Sequence, residues 1–160
     1  MGSGKMYTCK TCGNTYQTFL GLGFDFEEEY KKHARQMSKG KAGEEIQEIF
    51  NSGKKIALNV DNVLYQCEKC GYWNVEPKLD IFEVIKPEKY EASHVYGLKN
   101  VLIVTPGNIK GRDFKILRRF NHWCYDCGKK MSLVDMKQPI VLKCPDCKCE
   151  MYESGWVDWD

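Results

Sequence analysis

Eight of the nine cysteines in this chain fall in four Cys-x-x-Cys pairs: Cys9/Cys12, Cys67/Cys70, Cys124/Cys127 and Cys144/Cys147. Such a pair forms a tight turn that aims two sulfurs at one point, half of a tetrahedral shell, and two facing pairs close a structural site with no open position. The expectation is therefore two metal ions, Zn²⁺ first, held by these eight residues. Three of the turns continue with Gly13, Gly71 and Gly128, which can adopt φ > 0 after the second ligand without a Cβ clash and so keep a backbone N–H close enough to donate toward a thiolate. The fourth turn places Lys148 there, so either lysine takes a left-handed φ or the turn differs.

Closely spaced thiols without an apolar leader or a run of about 18 apolar residues point to a soluble protein with no membrane span. A reducing, cytoplasmic location follows, where cysteine pairs serve metal or redox chemistry rather than crosslinks. The start Gly2-Ser3-Gly4-Lys5 is small and polar and lacks the first glycine and preceding strand of a phosphate loop, so it reads as a foreign leader ahead of a native Met6. The formal charge is +2 with cysteines neutral. Each tetrathiolate holding a divalent ion adds two negative charges, so the loaded chain comes to about −2 and global basicity argues for no polyanionic partner.

Chain order favours pairing neighbouring knuckles: the third with the fourth, and the first with the second across a folded insertion. Crossed pairings need two long closures, at a cost of about 1 kcal/mol. The expected class is α+β: a small metal-stabilised protein with two rubredoxin-like zinc ribbons, a helical insertion in the first, and a β-rich remainder. The corresponding domains are residues 1–86 and 87–160, or one compact unit. Asp25-Phe26-Glu27-Glu28 reads as a capping box opening a helix that gathers Phe26, Tyr30, Ala34 and Met37 on one face. A second helix, with Ile46, Ile49 and Phe50, runs from Glu44 to Asn51 and stops near Gly53. Strands are expected at 55–60, 62–67, 79–85, 100–105, 114–120, 131–136, 139–143 and 151–156.

The stretch Cys9-x-x-Cys-Gly, then Phe19-Leu20-Gly21-Leu22-Gly23-Phe24, Tyr30, Gly40-Lys41-Ala42-Gly43-Glu44-Glu45 and Tyr65-Gln66-Cys67-Glu68-Lys69-Cys70-Gly71-Tyr72-Trp73 resembles small uncharacterised bacterial double zinc-ribbon proteins. The likeness covers about the first half of the chain, and Cys144-Pro145-Asp146-Cys147 is similar to a later knuckle of that group, with Lys148 in place of glycine. It implies zinc ligands and architecture, and no activity.

Two classes of function fit. The first is a non-catalytic module for recruiting an unknown protein or for touching nucleic acid. The nucleic-acid version draws on Lys110, Arg112, Lys115, Arg118, Arg119 and His122, interleaved with Phe120, Trp123 and Tyr125. The second is redox: a rubredoxin-like iron electron carrier, since Cys9-Lys10-Thr11-Cys12-Gly13 resembles a rubredoxin knuckle, or a thiol sensor using Cys149 beside Cys147. Catalysis is disfavoured, because His33, His94 and His122 are scattered and a four-cysteine shell offers no open position. The end, from Ser154 through Trp156 and Trp159, reads either as an acidic-aromatic docking peptide or as a cap on the second ribbon.

Overall fold

The computed structural model describes residues 2–90 and 93–159. In chain order the first elements are β1 (Gly2–Cys9), β2 (Thr15–Gly21), α1 (Phe26–Ser38), α2 (Glu44–Asn51), β3 (Ile56–Asn59), β4 (Asn62–Gln66), β5 (Trp73–Pro77) and β6 (Asp80–Val84). Then come β7 (His94–Val95), β8 (Leu98–Leu102), β9 (Phe114–Arg118), β10 (Ser132–Leu133), β11 (Leu142–Lys143) and β12 (Glu150–Trp159). They form two compact units. The first takes the segments ending at Phe24, spanning Asp61–Pro77 and beginning at Asn121; the second takes Asp25–Val60 and Lys78–Phe120. Each unit thus draws chain from both sides of residue 86.

The first unit is a seven-stranded sheet in the order β10-β4-β2-β1-β12-β11, with β5 paired to β4. Its inner cluster joins Tyr7, Leu64, Leu142 and Met151 to Cys9 and Cys144, with Tyr16, Leu20, Trp73 and Val75 against it. A second cluster joins Tyr65 and Met131 to Cys67 and Cys124. The segment Gly2–Lys5, read from sequence as a leader, is instead part of the central strand β1, paired with β2 on one side and β12 on the other. Its glycines are required by contact: a Cβ at Gly4 would stand 2.2 Å from the Thr18 carbonyl oxygen, and one at Gly2 would stand 2.4 Å from the Trp159 ring. Small residues here let three strands and an indole close up, a signal that composition alone reads as a linker.

The second unit is a five-stranded sheet, β7-β8-β3-β6-β9, antiparallel except for the β3/β8 pair. Helix α1 buries Tyr30, Ala34 and Met37, spaced i, i+4 and i+7 as the periodicity predicts. The buried Tyr30 hydroxyl donates to the Leu102 carbonyl and accepts the Leu58 N–H, bolting the helix to β8 and β3 at 2.6 and 2.7 Å. Helix α2 buries Ile46 and Phe50. Beyond its Ser52 cap, Gly53 takes φ 76, as the expected stop requires. The capping box at Asp25 does not form: Asp25 has φ −80 and ψ 16, its side chain caps no N–H, and Glu28 pairs with Lys31 instead. A further cluster of Ala57, Val84, Leu102 and Val104 is covered by Tyr90, Ile109 and Phe114. The predicted helical insertion is thus built, but with this unit rather than as part of a metal-binding ribbon.

Candidate metal centres

All four knuckles share one backbone plan. The N–H four residues after the first cysteine donates to that cysteine's carbonyl: Gly13 to Cys9, Gly71 to Cys67, Gly128 to Cys124 and Lys148 to Cys144, at 3.1, 2.9, 2.8 and 2.9 Å. The first cysteine's own N–H donates to the carbonyl five residues on, in Asn14, Tyr72, Lys129 and Cys149. Closing that ring needs a left-handed residue. Gly13, Gly71 and Gly128 supply it at φ 75, 76 and 66, and Lys148 accepts φ 62, so the fourth turn is regular in shape and strained in residue type.

The sulfurs assemble into two groups, Cys9/Cys12/Cys144/Cys147 and Cys67/Cys70/Cys124/Cys127, with all four ligand atoms of each within 4.8 Å of one another. The nearest sulfur pairs stand at 3.4 Å (Cys9 and Cys147), 3.7 Å (Cys12 and Cys144) and 3.5 Å (Cys67 with Cys127, Cys70 with Cys124). Those spacings are far beyond a disulfide and match the roughly 3.8 Å edge of a tetrahedron whose metal–sulfur bonds are about 2.3 Å. Each group could hold one metal ion in a closed shell.

The pairing differs from the sequence expectation. The first knuckle faces the fourth and the second faces the third, a nested arrangement in which both sites belong to the first unit. Strand register is the reason. β1 ends at Cys9 opposite Met151 of β12, which delivers Cys144 and Cys147, while β4 ends at Gln66 opposite Ser132 of β10, which delivers Cys124 and Cys127. A loop-closure preference of about 1 kcal/mol cannot compete with a ladder of eight paired positions between β1 and β12.

In each knuckle the first cysteine is buried and the second lies nearer solvent. Proton affinity divides the same way between Cys9, Cys67 and Cys144, where it is lowered, and Cys12, Cys70, Cys127 and Cys147, where it is raised. The Cys9 thiol is drawn down to about 6, chiefly by the N–H of Cys12, and the Cys67 thiol to about 7, chiefly by the N–H of Cys70. Burial opposes ionisation of Cys144, and the N–H groups of Cys147 and Asp146 outweigh it, leaving that thiol below its ordinary range. At Cys147 the N–H of Cys149 favours the thiolate, but the Cys9 sulfur and burial outweigh it and push the thiol up to about 12. At Cys70 the N–H of Tyr72 is outweighed by burial and the Cys124 sulfur, again to about 12. Four sulfurs this close cannot all ionise unaided, and a divalent cation removes the conflict.

A polar bracket spans the Cys9 group. The Asn14 amide and the Tyr16 hydroxyl both donate to the Asp146 carboxylate, and the Tyr16 hydroxyl lies 3.8 Å from the Cys144 sulfur. The two donors, Tyr16 first, hold the Asp146 carboxyl below its usual range. The bracket ties the first knuckle to the fourth outside the sulfur shell, a contact that sequence spacing could not reveal. The Cys67 group is flanked by His122, whose buried ring stacks on Tyr65 at 4.0 Å and meets Glu76 through Nδ1 at 2.6 Å.

Other sequence candidates are dispersed. Arg118 is held by Glu45 at 2.7 Å and Arg119 by Asp80 at 3.5 Å, and His122 is a buried packing residue. Lys110, Arg112 and Lys115 are exposed in the second unit, whereas Trp123 and Tyr125 are exposed in the first. The basic-aromatic stretch is therefore split between the units rather than gathered within either. Cys149 is half-buried against the inner cluster, and its carbonyl completes the fourth knuckle. Trp159 is anchored, donating to the Leu20 carbonyl at 3.0 Å and meeting Phe19 edge-on, while Trp156 is 71% exposed. Among the described residues no histidine joins a metal-ligand group, and no helix is long and apolar enough to cross a membrane.

These features define a mixed α+β protein, mostly sheet with two helices, carrying two tetracysteine clusters suited to structural metal binding. Comparison of the chain with protein-family models, with curated proteins and with solved structures finds no match in any of the three.

Proposed function

We propose that this chain is a non-catalytic recruitment module whose first unit is stapled by two structural Zn²⁺ ions, one in each cysteine group, in the manner of a double zinc ribbon. The observation that carries the reading is the near-tetrahedral spacing of eight sulfurs on four knuckles of one backbone plan. Four thiolates satisfy zinc completely, leaving no position for substrate or activated water. Protein recruitment is favoured over nucleic-acid binding because Arg118 and Arg119 are engaged by carboxylates within their own unit. Exposed aromatics at Trp123, Tyr125 and Trp156 suit a protein partner. A reducing compartment such as the cytoplasm suits nine unbridged cysteines.

Elemental analysis of the purified chain, followed by chelation under circular dichroism, tests this. Two zinc ions per chain and loss of the first unit's fold on chelation are expected. A folded chain without metal, or with its cysteines disulfide-bonded, would overturn the reading. Iron in the same shells would turn the protein red and shift the reading to a rubredoxin-like electron carrier.

A further inference from the structure

Resting on the reading of two structural ions in one unit, a side-chain clasp links the two cysteine groups where strand pairing leaves them apart. Strand β11 is only Leu142 and Lys143, and it leads directly into Cys144. One of its edges pairs with β12, at Leu142↔Met151 and Lys143↔Glu150. On its other edge, among the described residues, no strand pairs with it. Two side chains stand there instead. Gln66 Nε2 donates to the Val141 carbonyl at 3.2 Å, and Trp73 Nε1 donates to the Lys143 carbonyl at 2.9 Å.

These donors are placed as a pair. Gln66 and Trp73 are direct cross-strand partners in the β4/β5 hairpin, and they flank the second knuckle, Gln66 just before Cys67 and Trp73 shortly after Cys70. Carbonyls two residues apart on a strand point the same way, so one hairpin position can reach both. Leu142, between the two carbonyls, is fully buried. Beside the clasp the Lys143 stem lies over Gly71, where an added Cβ would come within 2.6 Å of Lys143 Cδ. The seam between residues 71–73 and residues 143–145 keeps a cavity of about 20 Å³, room for about one water. Strand β4 serves both sides of it: Leu64 packs in the cluster of Cys9 and Cys144, and Tyr65 in that of Cys67 and Cys124.

The clasp thus joins elements of different groups. The knuckle between Gln66 and Trp73 belongs to the Cys67 group, and the strand it holds delivers Cys144 to the Cys9 group. Closing the Cys67 shell fixes the hairpin end, and a fixed hairpin end holds β11 where Cys144 and Cys147 are needed. By linkage the reverse is equally true. We propose that the Gln66/Trp73 clasp couples the two metal centres, so that a divalent ion held in one cysteine group raises the affinity of the other. The Lys148–Asp126 pair at 3.7 Å also spans the groups, but it is largely exposed and contributes little. Both clasp bonds are open to solvent, so the coupling is about tenfold, or about 1.4 kcal/mol, the order that two net hydrogen bonds supply.

Cobalt affinities, read by absorbance against a competing chelator, test this as a thermodynamic cycle. The intact chain gives the product of its two affinities. Cys12→Ser with Cys147→Ser gives the Cys67 group alone, and Cys70→Ser with Cys127→Ser gives the Cys9 group alone. The intact product should exceed the product of the separate affinities by about tenfold. With Trp73→Phe and Gln66→Met together in all three chains, that ratio should fall to about one, and Gln66→Met alone, which keeps the indole, should lower it about threefold. A merely structural role would weaken each site and leave the ratio unchanged. A parent ratio near one, or a ratio that Gln66→Met leaves unmoved, would overturn the proposal. Two metal equivalents without coupling refute only the clasp, whereas failure to take up two equivalents refutes the reading beneath it.

Discussion

Replacing Gly4 by alanine adds a single methyl group at the centre of the sheet that carries both cysteine groups. That carbon would sit 2.2 Å from the Thr18 carbonyl oxygen, 3.0 Å from Val157 Cγ1 and 3.3 Å from the Thr18 carbonyl carbon. Two of the three neighbours are backbone, so no flexible tip can swing aside. Normal contact requires β1 and β2 to separate by about 1 Å at a register position, Gly4↔Phe19, that neighbours the Lys5 N–H bond to the Thr18 hydroxyl. Overpacking of this kind costs about 1–3 kcal/mol, and we place Gly4→Ala at about 2–3 because backbone must move. For a chain of this length that lowers Tm by about 4–12 °C, read by thermal unfolding of the metal-loaded protein. Gly107→Ala is the control. Nothing lies within 4 Å of its Cβ and its φ is not left-handed, so it should be neutral or stabilise by up to about 1 kcal/mol. A Gly4→Ala Tm within 1 °C of the parent would refute the placement of β1 between β2 and β12.

Other outcomes follow from single contacts. Lys148→Gly removes a left-handed lysine, worth about 1–2 kcal/mol, against a flexibility cost of about 0.5–1 and a largely exposed Asp126 pair worth little. Denaturant melts should therefore show a small net gain, and a loss above 1 kcal/mol would contradict the shared knuckle plan. Tyr30→Phe strands the buried Leu58 N–H and Leu102 C=O, so chemical denaturation should register about 2–4 kcal/mol of destabilisation in the second unit. Burial lowers the His33 pKa, with Glu29 opposing, so the folded state prefers the neutral ring. Its contribution is present above the unfolded pKa of about 6.5 and is lost as pH falls through the lower folded value. Proton NMR should place its midpoint below 6.5, and Glu29→Gln should lower it further.

What could be read from sequence was local. Each knuckle is a short turn fixed by two cysteines and a left-handed residue, and the strain at Lys148 is visible in the missing glycine. Both helices follow from their apolar spacing, and the eight expected strands fall within a few residues of those observed. Most of the misses are non-local. β1 and β2 escaped because Gly2, Gly4 and Gly21 resemble a linker until the Trp159 ring and the Thr18 carbonyl are beside them. β5, between the Cys70 knuckle and Pro77, had too little pattern to stand out. Knuckle pairing depends on the register of β1 with β12 and β4 with β10, which no spacing of cysteines encodes. The Asp25 cap failed for a local reason, since that residue adopts near-helical ψ rather than the extended form a cap needs.

Cobalt reports tetrathiolate sites by colour, and two double variants make the nested pairing measurable through the less buried ligands. Cys12→Ser with Cys147→Ser damages one group, so one equivalent of tetrathiolate cobalt should remain. Cys12→Ser with Cys70→Ser damages both groups, so none should remain. The reverse result, a site surviving in the second variant and none in the first, would mean that neighbouring knuckles pair and that the nested sheet described here is wrong.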